Sequence, residues 1–94
     1  MTNMVDIKVG DLVILKPNFK RTPYPNGCAP IYRWVVGSNG AIPVGRFSLN
    51  QTAIVLKTST RAIEGTFTKT CYSILTDDGA CGWFCEGAKW LKNS

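Results

Sequence analysis

The stretch that most constrains the fold of this chain is residues 71–91, which read CYSILTDDGACGWFCEGAKWL. At its centre, residues 77–79 are two aspartates, whose side chains hydrogen-bond their own backbone, and a glycine, which tolerates positive φ. A three-residue loop that ends in glycine suits a type I turn followed by a bulge. We therefore predict a β-hairpin in which Thr76 faces Ala80.

That loop also predicts which residues of the two strands face each other. Counting outward from the turn gives five further pairs: Leu75 with Cys81, Ile74 with Gly82, Ser73 with Trp83, Tyr72 with Phe84, and Cys71 with Cys85. A slip of one residue would exchange the two faces of both strands, so the register is also a prediction about side-chain contacts.

The rest of the chain consists of short apolar runs separated by turn residues. No window shows helical periodicity over three turns, so these runs predict strands. The predicted strands are 12–15, 31–36, 41–44, 52–58, 67–76, 80–84 and 89–92. Residues 59–66 are predicted to form a polar connection, and residues 86–88 one helical turn. Ninety-four residues hold one small core, which predicts a single all-β domain spanning residues 1–94. We favour a barrel because closure leaves no unpaired edge strand.

Residues 17–50 interrupt this series of strands. Between residues 18 and 30 the chain contains three prolines and an Asn-Gly pair, which predict a long surface loop. The turn sequence Gly-Ser-Asn-Gly then separates residues 31–36 from 41–44, and Pro43 favours an unpaired edge for the second of these strands. We therefore predict that residues 17–50, the inserted segment, form a long loop that carries its own small hairpin.

Charge is distributed unevenly along the chain. The net charge is +5, yet no acidic residue occurs between Asp11 and Glu64. That span carries seven basic residues, which are Lys16, Lys20, Arg21, Arg33, Arg46, Lys57 and Arg61. A basic half of this kind serves an acidic protein partner, a nucleic-acid backbone or simple solubility, and charge alone does not choose between them.

The sequence gives no reason to expect a membrane partner. Its apolar runs are of strand length, too short to span a bilayer. The first six residues lack the basic start and apolar stretch of a secretory signal. We therefore expect synthesis inside the cell.

Three stretches give the chain a resemblance to a known kind of protein. They are VGDLV at residues 9–13, TAIVL at 52–56, and DG at 78–79 followed by GWF at 82–84 and WL at 90–91. In this order they resemble small Src-homology-3-like barrel proteins encoded by tailed bacteriophages. The resemblance covers residues 9–16 and 52–91, and it implies a small barrel with a ligand face. The inserted segment is longer than this pattern needs, and the cysteines do not belong to it.

The four cysteines are Cys28, Cys71, Cys81 and Cys85. A zinc site is disfavoured because only the last two are close in sequence, and on one strand they would lie roughly 13 Å apart. The predicted register places Cys71 opposite Cys85, where a disulfide is geometrically feasible under oxidising conditions. In a reducing cytoplasm both would be small buried thiols, and we favour free thiols.

Catalytic patterns are missing from the sequence. The chain has no histidine, which excludes Cys-His and Ser-His-Asp nucleophiles. Its carboxylates stand in turns or alone, and its one Gly-rich turn lacks the lysine and helix of a phosphate-binding loop. We predict a protein that is not an enzyme and that needs neither a cofactor nor a metal.

Aromatic residues give the clearest indication of a binding surface. Trp83 and Phe84 are adjacent on one strand and must point to opposite faces. The resemblance implies that Trp83 lies on the ligand face and Phe84 in the core. The candidate partner-binding set is Trp83, Trp90, Tyr24, Tyr32 and Trp34, with Arg33, Lys20 and Arg21 beside them. The alternative is that these aromatic residues only pack the inserted segment onto the barrel.

Together these features predict a non-catalytic protein-binding module, and the resemblance implies a bacteriophage accessory or virion component, located in the infected host's cytoplasm or in the virion. The competing hypothesis is a nucleic-acid-binding barrel, in which basic residues of the span 12–63 neutralise phosphates while Tyr32 and Trp34 stack on bases. A steep loss of affinity for DNA or RNA as salt rises, lessened by removing Lys20 and Arg21, would support the second hypothesis.

Overall fold

The structure is a computed structural model that describes residues 7–17, 27–35, 40–63 and 67–94. These residues form seven strands and one 3₁₀ turn, Ala88–Trp90. The strands are β1 Leu12–Leu15, β2 Cys28–Trp34, β3 Ala41–Ser48, β4 Thr52–Ile63, β5 Phe67–Thr76, β6 Cys81–Phe84 and β7 Leu91–Asn93. The all-β prediction is confirmed. Within the described ranges, no helix has the length and apolar character needed to cross a membrane.

All seven strands belong to one antiparallel sheet with the order β3-β2-β6-β5-β4-β1-β7. The predicted closed barrel is not found, because no pairing joins β3 to β7 among the described residues. The physical reason is the position of the inserted segment, whose two strands join the sheet beside β6. The sheet therefore continues to β3 on that side, and β3 and β7 are its edge strands.

A single hydrophobic core lies on one face of this sheet. Every strand contributes to it, and its members are Ile7, Val13, Leu15, Ala29, Ile31, Phe47, Ala53, Val55, Tyr72, Ile74, Phe84 and Leu91. Phe47 and Phe84 meet edge to face, with ring centroids 6.1 Å apart at 90°. Since the described chain has no second layer, the sheet itself must curve around these side chains.

The inserted segment is more structured than its sequence predicts. Its strand begins at Cys28, within the predicted loop, and Ala29, Ile31 and Phe47 are completely buried. Ala29 pairs with Phe47 across the β2–β3 hairpin. Burial of these side chains makes strands β2 and β3 part of the core. The rest of the predicted loop, residues 18–26, lies outside the described residues.

The β4–β5 ribbon is also longer than predicted. Residues 59–63 continue β4 and pair with β5 as far as Ile63 and Phe67, so the predicted polar connection is wrong for these residues. Two of these residues, Thr60 and Ile63, favour strands because their side chains are branched at Cβ. Polarity alone therefore wrongly predicted a connection where the backbone continues as a strand.

The hairpin register is confirmed from the turn to Phe84. Ser73 pairs with Trp83 and Tyr72 with Phe84, as the loop length predicts. The Thr76 amide donates to the Ala80 carbonyl at 2.8 Å, and Gly79 has a φ of +93°. This backbone conformation suits glycine, which supports the bulged turn.

The turn carboxylate of Asp78 is the basis of a pH prediction. Its pKa lies below the ordinary value, chiefly because the Thr76 hydroxyl donates a hydrogen bond to Oδ1, with a further contribution from the Ala80 amide. A carboxyl whose pKa falls on folding stabilises the fold above its unfolded-state pKa, and this stabilisation is lost as the pH falls through the folded-state pKa. The effect is small because the carboxylate is exposed.

We expect Asp78→Asn to flatten the acid side of the stability profile between about pH 5 and 2. Urea unfolding midpoints measured across this range would show it. Asp77→Asn is the matched control, because Asp77 instead accepts a hydrogen bond from the Thr52 amide. Equal acid sensitivity of the parent and the Asp78→Asn variant would contradict the prediction.

Candidate functional site

Strand β6 places its two aromatic residues on opposite faces of the sheet. Phe84 is fully buried in the core, whereas Trp83 lies half-buried on the outer face. This matches the expected orientation of both residues. Trp83 is therefore available to form an outer surface without cost to the core.

Strand β2 brings two further aromatic residues to Trp83. Tyr32 pairs directly with Trp83, and Trp34 lies two residues along the same face. The Trp34 and Trp83 rings stack with centroids 5.7 Å apart and an interplanar angle of 29°. All three side chains are only partly buried, so together they form an aromatic surface on the outer face.

An open hollow lies beside this aromatic surface, with a volume of about 270 Å³. Its lining consists of Tyr32, Arg33, Val44, Ser73, Cys81, Gly82 and Trp83. The pairing of β2 with β3 shifts register between Ile31 and Tyr32, and Val44 falls within this bulge. A Cβ atom on Gly82 would lie 3.1 Å from both the Tyr32 carbonyl oxygen and Val44 Cγ2. Glycine at position 82 therefore allows strand β2 and Val44 to approach β6 closely beside the hollow.

The charge around the hollow is positive. Arg33 lines it and is exposed, and Lys57 pairs with Ser73, which in turn pairs with Trp83. Among the described residues, no carboxylate belongs to the lining, and neither Arg33 nor Lys57 forms an ion pair. The positive charge of these two side chains would attract an anionic group to this site.

An apolar row continues from the hollow across the outer face. Register pairs Cys81 with Leu75, Leu75 with Ile54, and Ile54 with Leu12. Leu12 is 52% exposed and Leu75 38% exposed. The outward face of an antiparallel sheet is usually polar, so a row of apolar residues in direct register there is typical of a contact surface.

The structure brings together only part of the predicted site. Tyr32, Arg33, Trp34 and Trp83 are neighbours. Trp90 lies in the 3₁₀ turn before β7, where it packs against the core and lies 5.5 Å below the Lys89 ammonium group. It does not line the hollow. The remaining predicted positions, Lys20, Arg21 and Tyr24, lie outside the described residues.

Several lining residues were not predicted from the sequence, namely Val44, Ser73, Cys81 and Gly82. Three of them are in the predicted hairpin, and the register already placed Ser73 opposite Trp83. The position of Val44 depends on a β-bulge that the sequence does not predict.

The four cysteines are free thiols. Cys71 is buried and Cys81 exposed, and Cys28 Sγ lies 3.3 Å from the Ser48 hydroxyl. Cys71 and Cys85 lie one position beyond the last pair of the β5–β6 register, consistent with the predicted juxtaposition. Within the described parts of the chain, no three cysteine or acidic side chains are grouped closely enough to bind a metal ion.

The aromatic surface, the hollow and the apolar row thus form one continuous candidate interface. Comparison of the chain with protein-family models, with curated proteins and with solved structures finds no match.

Proposed function

We propose that this chain is a non-catalytic protein-binding module that docks a protein partner on the outer face of its sheet. The observation that carries the proposal is the half-exposed cluster of Tyr32, Trp34 and Trp83 at the edge of an open hollow. Tryptophan, tyrosine and arginine dominate the binding energy of protein interfaces, and here Arg33 completes the set.

The size of the hollow favours a protein over a small ligand. Pockets for drug-sized molecules occupy about 300–1,000 Å³ and enclose most of the ligand. This one has a volume of about 270 Å³ and is open to one side. It suits a single side chain presented by a larger partner. The rest of that partner would then contact the apolar row next to the hollow.

We also propose that β1, β4, β5, β6 and β7 correspond to a Src-homology-3-like barrel that the β2–β3 hairpin widens. The support is that these five strands are consecutive in the sheet order and contain the motifs that carry the resemblance. The same resemblance supports a role as a bacteriophage accessory or virion component, placed in the infected host's cytoplasm or in the virion.

Replacing Trp83 with alanine is expected to weaken partner binding at least about tenfold, because the variant removes the centre of the aromatic surface. The measurement is quantitative capture of partner protein from lysate on immobilised wild-type and variant chains. Val9→Ala is the matched control, since Val9 is 60% exposed and lies outside the hollow. Capture that is the same on the wild-type and Trp83→Ala chains would contradict the proposal.

The exposed thiol of Cys81 supplies a second measurement that needs no substitution. Cys81 lines the hollow, whereas Cys71 is buried. Alkylation followed by mass spectrometry should show Cys81 protected in the complex, with Cys71 unreactive in both states. A partner that binds tightly and leaves Cys81 fully reactive docks elsewhere.

The same chains test the nucleic-acid hypothesis. The stacked pair weighs against it, because Trp34 and Trp83 each cover one face of the other and so offer less surface to a base. Tight binding of a single-stranded oligonucleotide that weakens steeply with salt, and that Lys20→Ala with Arg21→Ala lessens, would favour the nucleic-acid hypothesis over our proposal.

A further inference from the structure

The charge and shape of the interface indicate what kind of segment it accepts. Building on the proposed protein-binding function, we propose that the partner contributes an extended acidic segment. One apolar side chain of this segment enters the hollow, and its carboxylates lie near Arg33 and Lys57.

The charges around the hollow indicate that the partner segment is acidic. Arg33 is the charged residue of the lining, and Lys57 lies one strand beyond Ser73. The described aspartates are held in turns: Asp11 accepts from the Lys8 amide, Asp77 from the Thr52 amide and Asp78 from the Thr76 hydroxyl. Neither these carboxylates nor that of Glu86 belongs to the described lining. The described charges beside the hollow are therefore the two cations Arg33 and Lys57, which would repel a cationic partner.

The shape favours an extended chain with one apolar anchor. Tyr32, Trp83 and Val44 supply apolar walls of the hollow, whose volume of about 270 Å³ accommodates one side chain. From Cys81 the apolar row crosses three strand spacings to Leu12, a distance of about 14 Å at roughly 4.8 Å per spacing. About four residues of extended chain cover that length. A short linear segment can therefore place one side chain in the hollow and also lie along the apolar row.

A displayed library of random 12-residue peptides, selected on the full chain, tests the inference. Enriched sequences are expected to combine aspartate or glutamate with a large apolar residue. A synthetic version of the strongest sequence is then titrated calorimetrically against variants. We expect Arg33→Gln to weaken binding at least about fivefold and Lys57→Gln to weaken it about twofold or more, since each removes an attractive charge. Rising salt should weaken binding as well.

Lys89→Gln is the control for loss of one positive charge. Lys89 is exposed in the 3₁₀ turn, lies over the Trp90 ring and is absent from the lining. Its substitution should change the affinity less than about twofold. An equal loss of affinity with Lys89→Gln would mean that net charge alone explains the effect, and would overturn the assigned role of Arg33.

The remaining outcomes separate this inference from the proposed function. Apolar peptides that require Trp83 but ignore Arg33→Gln and salt would overturn the acidic segment and leave protein binding intact. A selection that enriches no sequence, or only sequences indifferent to Trp83→Ala, would overturn the inference, and lysate capture would then decide the proposed function independently.

Discussion

Replacing Phe84 with alanine should lower the free energy of unfolding by about 3–5 kcal/mol, as expected when a large aromatic side chain is removed from a packed core. Phe84 is completely buried, and its ring packs edge to face against Phe47. The variant would lose the transfer free energy of the ring and leave a cavity beside Phe47. Urea unfolding monitored by circular dichroism measures the change.

Trp83→Ala is the internal control for this prediction, because it removes a larger side chain from the opposite face of the same strand. Trp83 is only half-buried, so its loss should destabilise the fold much less than the loss of Phe84. Typical domains are stable by roughly 5–15 kcal/mol, so the loss expected for Phe84→Ala could unfold the chain. In that case Phe84→Leu provides a milder variant for the same measurement. A Trp83→Ala variant less stable than Phe84→Ala would mean that the two faces are assigned wrongly.

A second large effect is expected at Gly27, which begins the β2–β3 hairpin. Its φ is +75°, and a Cβ atom there would lie 2.7 Å from Leu49 Cγ. Gly27→Ala therefore combines a strained backbone with a clash, and we expect it to cost about 2–4 kcal/mol of stability. Differential scanning calorimetry would record the loss as a lower Tm.

Gly10→Ala separates these two causes. Gly10 has a φ of +93°, yet a Cβ atom there would meet nothing within 4 Å, so this variant carries the backbone strain alone. Gly27→Ala should therefore be the more destabilising of the two. Truncating the obstructing side chain with Leu49→Ala should make Gly27→Ala less costly than it is in the wild-type background, whereas simple additivity would show that the clash contributes nothing.

The β5–β6 hairpin shows how far sequence reasoning reaches. The residues of its turn, Asp77, Asp78 and Gly79, favour one loop geometry by themselves, and that loop fixes the register. From the register follow the burial of Phe84, the outward position of Trp83 and the pairing of Ser73 with Trp83. These predictions hold because each depends on residues that are close in the chain.

The candidate site was predicted only in part, because it combines residues that are far apart in the chain. Sequence reasoning selected Trp83, Tyr32, Trp34 and Arg33 as residue types suited to binding, and the structure places them together. It grouped Trp90 with them, although Trp90 packs at the other end of the strand order. Residue type indicates what a side chain can do, whereas position relative to its neighbours depends on pairing between distant strands.

The sequence by itself determined the all-β class, the hairpin register and the division of Trp83 and Phe84 between two faces, because turn chemistry and the two-residue period of a strand are local properties. Only the tertiary structure decided that β2 and β3 join the sheet beside β6, that the described sheet ends in two edges, and that a bulge in β3 brings Val44 to the hollow. Those features depend on which distant strands bury the most apolar surface together, and that free-energy balance is summed over the whole core rather than over any local stretch.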